Sequence, residues 1–230
     1  MQFSRRRMLL GMGLAATGFG CGGLNPFVII PALIQGGGRT KAPAEFELTP
    51  PPKKTEAKVV VFVSSAAGLH PDLAGVDRML NAELITMLDA RLKANEEKVL
   101  VLKMPTIDKF RSDNPNWRSV HPYDIGKEFK ADYVIDVEIQ EMDLFKEGSQ
   151  RRWLKGHATV SVNAYDLSKP LKEPAYRLDY TPEYPHGREE EVEGRDSGVQ
   201  RSAFRMKFVQ RIASDISVKF VASAQEYRVD

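Results

Sequence analysis

Asp136, Glu138 and His157 come nearest, among the residues of this chain, to a catalytic set. Carboxylates at i and i+2 share one face of a strand, and an imidazole beside them could serve general acid–base chemistry inside a cleft. On the wet face of a half-buried sheet the same residues would only meet water, and the alternating pattern around them favours that second reading. No catalytic residue is therefore assigned, and the chain is not read as an enzyme. Its folded part holds no phosphate-binding loop, Gly-x-Ser-x-Gly elbow, His-Glu-x-x-His pair or Cys-x-x-Cys. Histidines at 70, 121, 157 and 186 are too dispersed for a short metal-ligand spacing, so no metal and no cofactor is expected. Glu189, Glu190, Glu191 and Glu193 lack the Asp/Asn/Gly spacing of a calcium loop and read as a charged surface loop.

Two tryptophans stand beside arginines, Trp117 before Arg118 and Trp153 after Arg152. Such neighbours serve either as interface anchors or as the edge of a core, and the sequence leaves both open. Arg151-Arg152 reads as a solvated turn, with contact to anionic lipid or wall polymer as its alternative. Arg201, Arg205 and Arg211 read as the wet face of a final helix.

The chain has 230 residues, 42% of them hydrophobic and 28% charged, with a net charge of +2. That length suits one domain or two small ones, and that apolar fraction can bury a core. The near balance of charge argues against a nucleic-acid partner. The one cysteine excludes a disulfide framework.

That cysteine lies in the amino-terminal region, where most of the functional information is found. Arg5, Arg6 and Arg7 precede an apolar run from Met8 to Phe19, the basic and apolar regions of an export signal over residues 1–20. Ser4-Arg5-Arg6-Arg7-Met8-Leu9-Leu10 resembles the twin-arginine signal, with Met8 where Phe is usual and Leu10 where Lys is usual. Its plainer alternative is a general secretion signal. Cys21, after Gly20 and before Gly22-Gly23, resembles the lipidated cysteine of bacterial lipoproteins, although Gly18-Phe19 departs from the usual Leu-Ala/Ser. The resemblance implies cleavage before Cys21 and palmitate-type acyl chains on it, each buried CH₂ contributing about 0.8 kcal/mol of anchoring. Gly11-x-Gly13-x-x-Ala16 and Gly18-x-Gly20-x-x-Gly23 match a dinucleotide-binding pattern formally, but a signal supplies neither the strand nor the helix it needs. A second apolar stretch, Phe27 to Ile34, reads as membrane-proximal or packed on a domain. Joined to the first it would make an uncleaved anchor, the weaker reading because Pro26, Pro31 and the glycines interrupt it. Residues 21–57 are expected to be lipid anchor and tether, flexible from Gly36 and stiffened at Pro50-Pro51-Pro52.

Residues 58–225 read as a single α/β domain of four to five strands with about three packed helices, in the order β-α-β-α-β-β-β-α. Val59–Val63 is a strand covered on both faces, and the spacing predicts a helix over 72–92 and a strand over 99–102. Residues 105–122 read as irregular, followed by a short helix over 123–129. Tyr133–Leu144 and Leu154–Ala164 alternate and pair as a hairpin around Gly148-Ser149, placing Glu138 opposite Thr159 and Gln140 opposite His157. One more strand is expected at Tyr176–Tyr180. Phe204, Phe208, Ile212, Ile216 and Phe220 mark a final amphipathic helix.

The stretch Ile125-Gly126-Lys127-Glu128-Phe129-Lys130-Ala131-Asp132-Tyr133-Val134-Ile135 resembles a small α/β domain of envelope proteins. These are the curli-secretion lipoprotein, the lipoprotein activators of penicillin-binding proteins and the amino-terminal domain of TolB. The resemblance spans roughly residues 58–222; where that group commonly has a glycine inside the strand, this chain has Asp136. It implies an envelope lipoprotein working by protein–protein contact, with the membrane (through lipid on Cys21) and another envelope protein or itself as partners. The expected location is the bacterial envelope, anchored to a membrane and facing the periplasm. Two alternatives stand behind it. One is a periplasmic hydrolase using Asp136, Glu138 and His157. The other is a ring-forming secretion component, ranked lower because Glu138, Gln140, His157 and Thr159 make the hairpin wet where a lipid-facing pair would be apolar.

Overall fold

Ala57–Ser65, strand β2, is an interior strand of the sheet, and its residues from Val59 to Val63 are apolar on both faces and buried. In the computed structural model the described residues are 41–186, 190–191 and 197–224, all in the unit Thr40–Asp230. The unit Met1–Arg39, with the expected export signal, Arg5, Arg6 and Cys21, lies outside them.

Helix α1 (Val76–Ala94) follows β2 after a 3-10 turn at Pro71–Leu73 and a break at Gly75, whose φ of 74° admits few residues but glycine. It buries Val76, Leu80, Leu84, Leu88 and Leu92, a four-residue repeat that makes one apolar stripe. β3 (Val99–Val101) pairs parallel to the start of β2. Of residues 105–122, expected to be irregular, 105–113 belong to helix α2 (Met104–Asp113). Pro105 stands in the first turn, where its missing N–H is not needed, and Ile107 and Phe110 bury the inner face. Asn114-Pro115 then stops it, since a residue before proline disfavours the helical region. Helix α3 (Pro122–Glu128) is capped by His121, whose Nδ1 accepts the Tyr123 N–H at 3.2 Å.

Strand β4 (Tyr133–Phe145) returns parallel to β2, and β5 (Trp153–Asp166) runs back antiparallel beside it. β6 (Tyr176–Tyr180) pairs with β5, as do two short strands, β7 (Glu183–Tyr184) and β8 (Glu190–Glu191). The sheet order is β3-β2-β4-β5-β6, a single mixed sheet in an α/β fold. Helix α4 (Ser197–Phe220) packs against α1 and buries Phe204, Phe208, Ile212, Ile216 and Phe220. Among the described residues the fold thus has the expected mixed sheet, with helix α2 and the short strands β7 and β8 beyond the expected order.

The hairpin differs in register from the expected one. Glu138 pairs with Ser161, and His157 pairs with Asp143. The connection runs from Lys146 to Arg152, with Gly148, Gln150 and Arg151 all at positive φ, in place of a two-residue turn. Register shifts at Ile139/Glu141 and Asp143/Phe145 complete the difference. The displacement near Glu138 is two residues, so inward and outward faces are preserved.

Residues 43–56, expected to be tether, lie along the domain. Leu48 is buried, Phe46 packs at 5.9 Å from the rings of Tyr133 and Tyr176, and Tyr133 donates its hydroxyl to the Thr49 carbonyl at 2.9 Å. Lys54 reaches the Asp132 carboxylate at 2.6 Å. Strand β1 (Lys41–Ala42) pairs antiparallel with β9 (Ser223–Ala224). Among the described residues no helix is long and apolar enough to cross a membrane.

Candidate functional site

The pleat sends Phe62 and Ser64 of β2, Asp136 and Glu138 of β4, and Ser161 and Asn163 of β5 to the face opposite α4. Phe62 lies beside Asp136 and Ser64 beside Glu138 in the parallel register. At the carboxyl end of β2, Phe62, Ser64, Asp136 and Glu138 border a cleft of about 240 Å³, walled on the other side by Trp117, Arg118 and Pro122. Clefts at the carboxyl ends of parallel strands are where open α/β sheets take ligands.

Asp136 is the unusual group in this cleft. Burial, reinforced by the charge of Glu138, pushes its carboxyl up to about 6. The same burial, with Asp136 adding to it, raises the Tyr165 hydroxyl. Arg111 of α2 lies behind the wall, donating to the Val63 carbonyl at 2.9 Å and to Asn81 Oδ1 at 2.8 Å. Its guanidinium stacks 4.7 Å from the Trp117 ring, and Arg118 covers the same ring at 5.3 Å while pairing with Asp77 at 2.9 Å. Burial pulls the Arg111 group down from its ordinary value, partly offset by Asp77 and Asp108. Trp117, only 8% exposed, is therefore a core-edge residue clamped between two cations.

His157 does not join Asp136 and Glu138. It is exposed on β5 opposite Asp143, beside a separate shallow cavity shared with Lys155, Thr159 and Glu183. Four residues separate it from Ser161, the partner of Glu138, or roughly 13 Å along a strand rising ~3.3 Å per residue. Acid–base transfer needs ~3 Å, so this imidazole and these carboxylates cannot exchange a proton directly. Among the described residues no cluster of three or more His, Cys, Asp or Glu side chains is placed to hold a metal ion. Trp153 is 36% exposed near the hairpin tip. Glu189 and Glu193 lie outside the described residues, whereas the Glu190-Glu191 backbone forms β8 against Trp153-Leu154.

A constellation the sequence did not announce gathers around Asp72. Arg151 and Arg201 both pair with its carboxylate, Arg201 at 3.3 Å, and Arg205 donates to its backbone carbonyl at 2.5 Å. The partners stand 79, 129 and 133 positions from Asp72, so no local spacing could reveal them. Arg211, the third expected wet-face arginine, pairs with Asp215 one turn on, at 2.9 Å.

Fold and cleft define the chain as a mixed-sheet α/β domain with a cleft on one face that is lined in part by carboxylates. No protein-family model matches the sequence, and no curated protein matches it. Solved structures similar to it include the PelC dodecamer from Paraburkholderia phytofirmans, at 12% identity over 79% of this chain and 94% of that one, with a TM-score of 0.39. Lipoprotein GNA1162 from Neisseria meningitidis aligns at 12% identity over 68% of this chain and 98% of its own, with a TM-score of 0.39. Protein XCC0632 from Xanthomonas campestris aligns at 11% identity over 77% and 91%, with a TM-score of 0.38.

Proposed function

We propose that this chain is an exported, lipid-anchored protein of the bacterial cell envelope that acts by binding another envelope protein or a second copy of itself, without catalysis. The observation that carries the reading is the position of the only cysteine. Cys21 ends an apolar run that follows Arg5, Arg6 and Arg7, with glycine on both sides. Acyl chains on Cys21 would hold the protein at a membrane, since two or more chains anchor stably where one does not. Export through a twin-arginine route, using Arg5 and Arg6, would leave the domain facing the periplasm. The separation of His157 from Asp136 and Glu138 supports binding over hydrolysis. Glu138, exposed at the rim of the cleft, offers a hydrogen-bonding group to a partner.

The test is intact mass and palmitate labelling of the full-length protein extracted from bacterial membranes in mild detergent. The expected product begins at acylated Cys21, and Cys21→Ser abolishes both the label and membrane retention. A labelled-palmitate experiment that leaves the chain unmodified and starting at Met1 overturns the proposal. Native mass spectrometry of the same sample separates a monomer from a homo-oligomer.

A further inference from the structure

The cleft at the carboxyl end of β2 combines two kinds of lining. Phe62, Trp117, Val120 and Ile125 make part of it apolar, while Ser64, Asp136 and Glu138 make part of it polar. Asp136 is the group that the domain leaves unanswered. No described residue donates a hydrogen bond to its carboxylate or forms an ion pair with it, and Glu138 only adds a like charge. Neither of its oxygens is sealed from solvent, so the carboxylate is reached through the cleft. Its carboxyl, at about 6, is ionised at neutral pH.

The cations around the cleft are engaged elsewhere. Arg118 pairs with Asp77 at 2.9 Å, and Arg111 donates to the Val63 carbonyl and to Asn81. Arg177 of β6, in line with Asp136 across Asn163, donates to the Asn163 Oδ1 at 3.3 Å. A largely buried anion without a counterion costs stability, and a cation that brings its own donors removes that cost. An ammonium carries three donors, which suits two carboxylates and the Ser64 hydroxyl on one face. A guanidinium would seek an aromatic face as well, but Arg111 and Arg118 already lie against Trp117. The apolar lining suits the methylene stem of a lysine, which packs on apolar surface while its head stays polar. At about 240 Å³ the cleft is smaller than the ~300–1,000 Å³ of sites for drug-sized molecules, so one side chain suits it.

We infer that this cleft takes a lysine side chain of a partner protein, with the ammonium on Asp136 and Glu138 and the stem along Phe62, Val120 and Ile125. The inference rests on the reading that the chain acts by binding a protein, and it adds the chemistry that the partner presents. It is independent of the lipid anchor at Cys21.

The test follows tryptophan emission in full-length protein carrying Trp153→Phe, in neutral detergent, where Trp117 in the cleft wall is the remaining reporter. Four probes are titrated at neutral pH: the blocked peptides acetyl-Gly-Lys-Gly-amide, acetyl-Gly-Arg-Gly-amide and acetyl-Gly-norleucine-Gly-amide, and the free diamine cadaverine. The lysine peptide is expected to saturate in the millimolar range and to bind more tightly than the arginine and norleucine peptides. Asp136→Asn weakens it about tenfold to a hundredfold, the loss expected for a charge-assisted hydrogen bond. Glu138→Gln weakens it less, and Glu141→Gln, an exposed carboxylate of the same strand outside the cleft, leaves it unchanged. Cadaverine saturating where the lysine peptide does not would overturn the inference in favour of a free amine. Arginine or norleucine peptides binding as tightly as lysine, Asp136→Asn binding like the parent, or no saturation by any probe would each overturn it too. The peptides need neither the anchor nor the whole partner, so such a result removes the lysine assignment and leaves protein binding at another surface standing.

Discussion

Gly126 of α3 lies so close to Val134 of β4 that a Cβ built on the glycine would fall 2.3 Å from the valine Cγ2. Leu167 Cδ2 closes the other side at 2.8 Å. The helix therefore rests directly on the strand, and no side chain larger than hydrogen fits between them.

Gly126→Ala is expected to destabilise the domain by about 1–3 kcal/mol through overpacking, outweighing the ~1 kcal/mol that alanine contributes in a helix interior. Urea unfolding of single and double variants checks this. Adding Val134→Ala to Gly126→Ala should recover part of the loss, whereas strictly additive costs would show that the two sites do not touch.

Asp132 ties the start of β4 to the start of β2. Its carboxylate accepts the Lys58 N–H at 2.9 Å and the Lys54 ammonium at 2.6 Å, while its own N–H donates to the Lys58 carbonyl at 2.7 Å. Asp132→Ala leaves a backbone donor without its acceptor and should cost about 1–3 kcal/mol. Asp132→Asn keeps an oxygen for Lys58 and loses only the half-exposed Lys54 pair, so its cost should stay within about 1 kcal/mol. Thermal unfolding of the two variants gives the order, and equal losses would count against the backbone role.

Asp136 gives a pH dependence whose direction follows from its raised carboxyl. Unfolding returns the group from about 6 to its ordinary 3.8, so the unfolded chain binds fewer protons between those values. Stability from this site is therefore full below about pH 4 and is lost as pH rises through 6. Asp136→Asn should stabilise the protein by about 2–3 kcal/mol at pH 7.5 and by little at pH 4, read from urea midpoints at the two pH values. A variant no more stable at pH 7.5 than the wild type would show that the cleft hydrates this carboxylate.

Asn81, wholly buried on α1, donates to the Val61 carbonyl at 3.0 Å and accepts from Arg111 at 2.8 Å. Asn81→Ala removes both and is expected to cost about 2–3 kcal/mol. It also removes one of the two hydrogen-bond acceptors, Asn81 Oδ1 beside the Val63 carbonyl, that hold the guanidinium stacked on Trp117. A change in tryptophan emission should therefore accompany the loss of stability, and unchanged emission would uncouple the two.

Much of this architecture was legible in the sequence wherever burial imposes a period. β2 reads as a continuous apolar run because the sheet is covered on both sides there, and α1 and α4 show repeats of four because one stripe of each is buried. The two faces of β4 and β5 followed from alternation alone. What escaped has physical reasons. α2 hid behind Pro105, a breaker inside a helix but harmless in its first turn. The hairpin register depended on Gln150 and Arg151 taking φ values of 51° and 64°, which their side chains do not advertise. The carboxylates at 136 and 138 were placed correctly on one face, yet the register carried His157 away from them. The Asp72 cluster is assembled by tertiary contacts alone.

The pairing of Lys41 with Ala224 brings the entering and leaving strands of the domain side by side. Phe46, whose N–H donates to the Lys219 carbonyl at 3.0 Å, and Glu45, paired with Lys219 at 2.6 Å, continue that seam inward. Tension applied between residues 41 and 224 would meet these links in series and open them one after another, as a zipper opens from its end. The β2–β4–β5 sheet would bear no load until the seam had parted, so the domain carries a mechanical fuse ahead of its core.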